Sequence, residues 1–242
     1  MKKRNLVFFI QIACIIVAPL FLCENQNSQN DSILATVKAQ NGQQETFYPH
    51  LIGKKNLGII YDIFVAENYA YVTNNDALVI VDIHNLARPK KISVIEVEGG
   101  VFGVSVRNDL AYIATDDSHE FLIADVSDPA NPTIIGSYQA NDELRRVELD
   151  GNFAYVVSFN EGLLIFNIQD PTNPTLVGQF NDGGQGTSVA ISGDIAFFTD
   201  ISDGLEVLDI SNKSSPHEIA TFIEYYGAFD VEIHGDVLYM AC

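Results

Sequence analysis

The residues able to do chemistry in this chain are mostly acidic. Asp76, Asp116, Asp117, His119, Glu120, Asp142, Glu143, Glu161, Asp182, Asp200 and Asp203 fall at breaks between apolar runs. Carboxylates gathered there could hold Ca²⁺ or work as a general acid and base. Tyr225 and Tyr226 form an aromatic pair that could grip a sugar or a peptide. Against catalysis, none of the histidines (His50, His84, His119, His217, His234) has a zinc-binding spacing such as H-E-x-x-H. No G-x-S-x-G elbow, Walker loop or G-x-G-x-x-G occurs. The acidic loops do not follow D-x-D-x-D-G, and their lengths vary, which favours solvated loops. Gly183-Gly184-Gln185-Gly186 precedes a strand pattern, so no helix dipole is aimed at a phosphate, and it reads as a flexible connection.

The sequence therefore assigns no catalytic, cofactor-binding or metal-ligating residue, with Ca²⁺ the one ion the acidic loops could take. The candidate binding face is Asp116, Asp117, His119, Asp142, Glu143, Asp182, Asp200, Asp203, Tyr225 and Tyr226. Protein or glycan is the partner class that such a face suits.

A repeat must position these loops. Leu78 to Ile83, Phe121 to Val126, Leu163 to Ile168 and Leu205 to Ile210 are four versions of one pattern: an apolar run, a side-chain acceptor, one more apolar residue. The acceptors Asp82, Asp125, Asn167 and Asp209 stand 43, 42 and 42 residues apart. Aromatics at Tyr71, Tyr112, Tyr155, Phe197 and Tyr239 recur at 41, 43, 42 and 42. A period of that length means a propeller or a helical solenoid. Turn signals such as Asp150-Gly151-Asn152 and Ser192-Gly193-Asp194 break each repeat too often for solenoid helices. The intervening runs carry Val, Ile, Tyr and Phe, as strands do.

The prediction is an all-β propeller of four-stranded blades. In the third repeat, strand A spans 146–149, B 153–157, C 163–168 and D 175–180. Strand C is apolar at successive positions, so both its faces must be covered. Pro89, Pro132, Pro174 and Pro216 each follow an acceptor by seven residues. That fixed loop reads as a turn clamp in which Asx side chains bond backbone N–H groups. Glu206 interrupts the apolar run of the fourth repeat.

These features resemble the LVIVD repeat family, whose name is spelled by Leu78-Val79-Ile80-Val81-Asp82. The resemblance spans about residues 49–242 and implies an exported or cell-surface β-propeller of bacterial or archaeal type. The repeats fall at about 61–101, 102–144, 145–186 and 187–228, with a partial fifth at 229–242. Pro49 to Gly53 matches the start of a strand D. The expected architecture is thus four complete repeats plus parts of a fifth, truncated or open.

The front of the chain gives an address. Lys2, Lys3 and Arg4 precede the apolar run Leu6 to Leu22, the pattern of a signal peptide over 1–23. Cys23 after Leu20-Phe21-Leu22 resembles a lipoprotein signal, in which that Cys is lipidated. Residues 24–46 are rich in Asn, Gln and Ser and read as a flexible tether within a propeller-bearing chain whose folded part begins at 47. The expected location is the periplasm or cell surface of a bacterium, with membrane contact only through the N-terminal anchor. The full chain carries a formal net charge of −19. Such a surface repels nucleic acid and anionic headgroups. An exported binding module is the expected function. The alternative is an exported hydrolase or lyase acting through the acidic loops.

Overall fold

The computed structural model describes residues 14–16, 34–36, 57, 59–222 and 227–241. Two short strands, β1 (Cys14–Ile16) and β2 (Leu34–Thr36), pair in parallel. The remainder of the segments that the sequence suggests as signal peptide and tether, Cys23 included, lies outside the described residues, as do Pro49 to Gly53.

Four antiparallel four-stranded sheets follow. Blade I is β3 (Ile60–Ala66), β4 (Tyr69–Asn74), β5 (Ala77–Asp82) and β6 (Lys90–Glu96). Blade II is β7 (Val101–Arg107), β8 (Leu110–Thr115), β9 (Glu120–Asp125) and β10 (Thr133–Gln139). Blade III is β11 (Leu144–Asp150), β12 (Phe153–Ser158), β13 (Gly162–Asn167) and β14 (Thr175–Phe180). Blade IV is β15 (Gly186–Ser192), β16 (Ile195–Asp200), β17 (Gly204–Asp209) and β18 (His217–Phe222). A two-stranded sheet, β19 (Asp230–His234) and β20 (Val237–Ala241), comes last. Against the sequence reading of blade III, strand A is longer at both ends and strand C is shifted one residue earlier.

Local chemistry explains the hairpins. Asn108 and Asp109 join strands A and B of blade II with φ of 52° and 60°. Asx residues tolerate that left-handed backbone, which matches the twist of the flanking strands. The C–D loops are clamped as the Asx pattern predicts. Oδ1 of Asp82, Asp125, Asn167 and Asp209 accepts the backbone N–H two residues on, at 2.8–2.9 Å. Asn85, Asp128, Asp170 and Asn212 repeat the device three residues later.

The first strands of successive sheets lie side by side: β3 against β7, β7 against β11, β11 against β15, β15 against β19. Strand A therefore lines the axis of the stack, while strand C sits inside each sheet. The core is a series of layers between blades. Tyr71 of blade I packs with Val104, Ile113 and Leu122 of blade II. Tyr112 and Phe121 pack with Val156 and Phe166 of blade III, and Tyr155 and Ile165 with Phe198 and Leu208 of blade IV. A buried side chain of this size contributes about 1.5–3 kcal/mol. Each aromatic needs the next sheet as its lid. Tyr71, Tyr112 and Tyr155 are at most 4% exposed, whereas Tyr239, with no further described sheet beyond it, is 54% exposed. The fifth sheet packs on blade IV, and the sheets do not close into a ring among the described residues.

Blades also meet through backbone. A side chain at Gly178 of β14 would run into the Lys213 carbonyl in the next blade's C–D loop. Gly136 of β10 meets the Pro171 carbonyl in the same way. The corresponding residue of blade I is Ser93, whose hydroxyl donates to the Pro129 carbonyl. Gly178→Val must push that loop away and is expected to destabilise the fold by about 1–3 kcal/mol. A drop in thermal midpoint relative to wild type checks this.

Candidate functional site

The B–C and D–A loops share one face, onto which the axis opens. Five corresponding strand-A positions lie at that end of the strands: Tyr61, Phe102, Arg145, Thr187 and, just before β19, Phe229. They are spaced 41, 43, 42 and 42, the same intervals as the core aromatics. Tyr61 meets Phe102 edge-on at 4.6 Å between ring centroids. The Arg145 guanidinium lies 4.4 Å from the Phe102 ring centre and 4.6 Å from that of Phe159. Cation–π contact of this kind fixes a long side chain without removing its charge. Glu143 accepts from Arg145 and holds the guanidinium from the loop side. Phe229 at the end of the series is 58% exposed.

One residue further along each strand lie Asp62, Gly103, Arg146, Ser188 and Asp230. Asp62 Oδ2 accepts the Val104 N–H of blade II at 3.1 Å, and its Oδ1 accepts Arg146 Nη1 of blade III at 3.1 Å. Ser188 donates to Asp230 at 2.7 Å. A cavity of about 300 Å³ follows the axis, lined by the first strands of all five sheets. The Asp62 carboxylate holds the Arg146 guanidinium firmly charged against burial, with Asp230, Glu148 and Glu232 adding to it. Burial pushes Glu148 up, and Arg146 opposes the shift.

Asp116 and Glu143 come together beside the rim. Burial, followed by contact with Glu143 and the charges of Glu143 and Asp117, pushes Asp116 up to about 6. Asp117 and His119 serve the turn instead: Asp117 N–H donates to the Gly99 carbonyl, and His119, at φ 53°, donates its N–H to the Asp116 carbonyl. Asp142 caps the neighbouring loop by accepting the Asn160 N–H at 2.8 Å. Asp200 departs from the solvated-loop expectation. It ends β16, is 1% exposed, and accepts the Ser202 and Asp203 N–H groups. A side chain at Gly184 would strike its carboxylate. The glycine-rich segment is pinned rather than loose: Gly186 N–H donates to the Phe159 carbonyl and Gln185 accepts from Ile201. Tyr225 and Tyr226 lie outside the described residues.

Asp182 meets two strand residues that lie outside the acidic loops, Glu206 and Glu218. Glu206 lies on β17 opposite Phe198, the position filled by Val79, Leu122 and Leu164 in the other blades. It is completely buried, and neither carboxyl oxygen has a hydrogen-bond partner among the described residues. Burial first, then contact with Asp182 and the charges of Asp182, Asp200 and Glu218, push it up to about 9.

Fold and site together define an all-β repeat protein: propeller-like blades in an open stack, with a mixed aromatic and charged rim at one end of the axis. The LVIVD repeat model matches at residues 58–94, 98–140, 143–182 and 183–223, and the chain belongs to the LVIVD repeat family. No curated protein matches the sequence. Among solved structures, the chain is similar to the computationally designed Ika8 protein, with TM-score 0.63 and 8% identity over 79% of this chain and 58% of that one. It is also similar to a functionally unknown protein from Desulfotomaculum acetoxidans, with TM-score 0.64 and 16% identity over 77% of this chain and 64% of the other. The chain thus spans less than two thirds of either structure, and the likeness is one of fold.

Proposed function

We propose that this chain is an exported binding module, tethered at the cell surface or membrane, that engages a glycan or another protein through its loop face without chemical turnover. The observation that carries the reading is the rim ladder Tyr61, Phe102, Arg145 and Phe159, whose members touch in sequence across blades I to III. Partly exposed rings give flat apolar surface at low entropic cost, and Arg145, Glu143 and Asp116 give both signs of charge around them. The acidic chain disfavours polyanionic partners. Oligosaccharide and peptide arrays test the reading. The wild-type chain is expected to select a partner, and Phe102→Ala with Phe159→Ala to weaken it on the order of tenfold. Full retention of binding by that double variant contradicts a rim site.

One observation favours a hydrolase or lyase as a second reading. Asp116, held near pH 6 beside Glu143, is a carboxyl pair in which one member keeps a proton close to neutrality. Turnover of a glycoside, ester or phosphate that is lost in Asp116→Asn supports that reading over the first.

A further inference from the structure

We propose that Asp182, Glu206 and Glu218 form a binding site for a divalent cation, Ca²⁺ by their chemistry, at the junction of blades III and IV. One ligand oxygen from each lies within 4.8 Å of the others. The three come from different places. Asp182 sits in the loop leaving β14, Glu206 on β17 and Glu218 on β18. An acidic group on the surface needs no explanation, but Glu206 does. It is 0% exposed, both its oxygens lack a hydrogen-bond partner among the described residues, and it stands where three other blades place an aliphatic side chain.

A carboxyl group buried without a donor is costly, and its nearest polar neighbour is another acceptor. No salt bridge reaches the three residues among those described. Their oxygens can therefore be reconciled by something positive placed between them. The donor set is all oxygen, without His or Cys, which suits a hard cation rather than zinc or copper. Ca²⁺ accepts irregular coordination and carboxylates that bind through one or two oxygens; Mg²⁺ requires a tighter octahedron. Glu218 keeps a hydroxyl partner in Thr221, and Asp200 stands behind the group with its own amide partners, so the site's base is already ordered. A bound ion would clamp the loop leaving blade III onto the face of blade IV. The site is separate from the rim, so its failure would leave the rim proposal standing.

The test is isothermal titration of the full chain, stripped with EDTA, with CaCl₂ and then MgCl₂, alongside thermal melts. The expected result is one Ca²⁺ per chain, a raised melting midpoint, and weaker binding of Mg²⁺. Glu206→Leu and Asp182→Asn are expected to weaken Ca²⁺ binding at least tenfold. Glu206→Leu installs the residue type of the other blades, so circular dichroism should show it folded. Absence of any Ca²⁺ heat or melting shift in wild type overturns the proposal and leaves Asp182 and Glu206 sharing a proton. Equal binding by wild type and Glu206→Leu also overturns it, by showing an adventitious surface ion only.

Discussion

Arg146→Met is expected to lower the stability of the fold by about 3 kcal/mol, the low end of the cost of breaking a buried ion pair. Arg146 is the cation among the four carboxyl groups that act on it along the axis: Asp62, Glu148, Asp230 and Glu232. Its partner Asp62 has a side chain only 12% exposed, and Arg146 itself is 31% exposed through the axial cavity. Water reaching the guanidinium moderates the loss. Removing the cation still leaves Asp62 largely buried and short of one of its donors. Asp62 also ties three blades together, through Val104 N–H and Arg146 as well as Ile63 N–H in its own strand. The damage should therefore show as loosened contact between blades I and III. Adding Asp62→Asn to Arg146→Met is expected to recover part of the loss, because the orphaned charge goes with the cation. Denaturant unfolding of the single and double variants checks both statements. A single variant as stable as wild type would mean that the axis is held by its backbone neighbours alone.

Glu206→Leu has the opposite sign. In EDTA at neutral pH the variant is expected to be more stable than wild type by about 1–3 kcal/mol, the cost of a buried group left without partners. For a chain of this size that is roughly 2–4 °C in melting midpoint per kcal/mol. The pH dependence follows from linkage. Glu206 is raised from 4.5 to about 9, so across that window the native state keeps a proton that the unfolded chain has released. Stability contributed by this group is fully present below the unfolded value and is lost as pH rises towards about 9, by up to about 1.4 kcal/mol per pH unit. Asp116 slopes in the same direction but is spent by about 6. Between about 6 and about 9, wild type should therefore weaken with pH more steeply than Glu206→Leu. Parallel pH profiles for the two proteins would contradict the burial argument.

The blades were legible because the repeat is written in residue types. Asp82, Asp125, Asn167 and Asp209 sit at one loop position and bond the same backbone group in each blade. Strand C of blades II, III and IV is apolar on both faces because sheets cover it on both sides, and that too is visible in one dimension. The axis was harder to see. Its first-strand positions carry Asp62, Gly103, Arg146, Ser188 and Asp230, five different chemical choices with no shared type to search for. The rim ladder follows the same intervals as the core aromatics, so counting from Tyr61 would have found Phe102 and Arg145. The Arg145 contact to Phe159, in contrast, depends on how neighbouring blades are set against each other. Glu206 was visible as a break in an apolar run. Its meaning came only when Asp182, in a loop 24 residues earlier, was found against it.

The most direct test of the account is hydrogen–deuterium exchange on the chain with and without the partner selected from the arrays. The rim account predicts added protection at Tyr61, Phe102 and Arg145 and in the loop holding Phe159, with no change at the opposite A–B turns, such as Asn108-Asp109 and Gly151-Asn152. Protection confined to those turns, or to the outer strands β10 and β14, would contradict it.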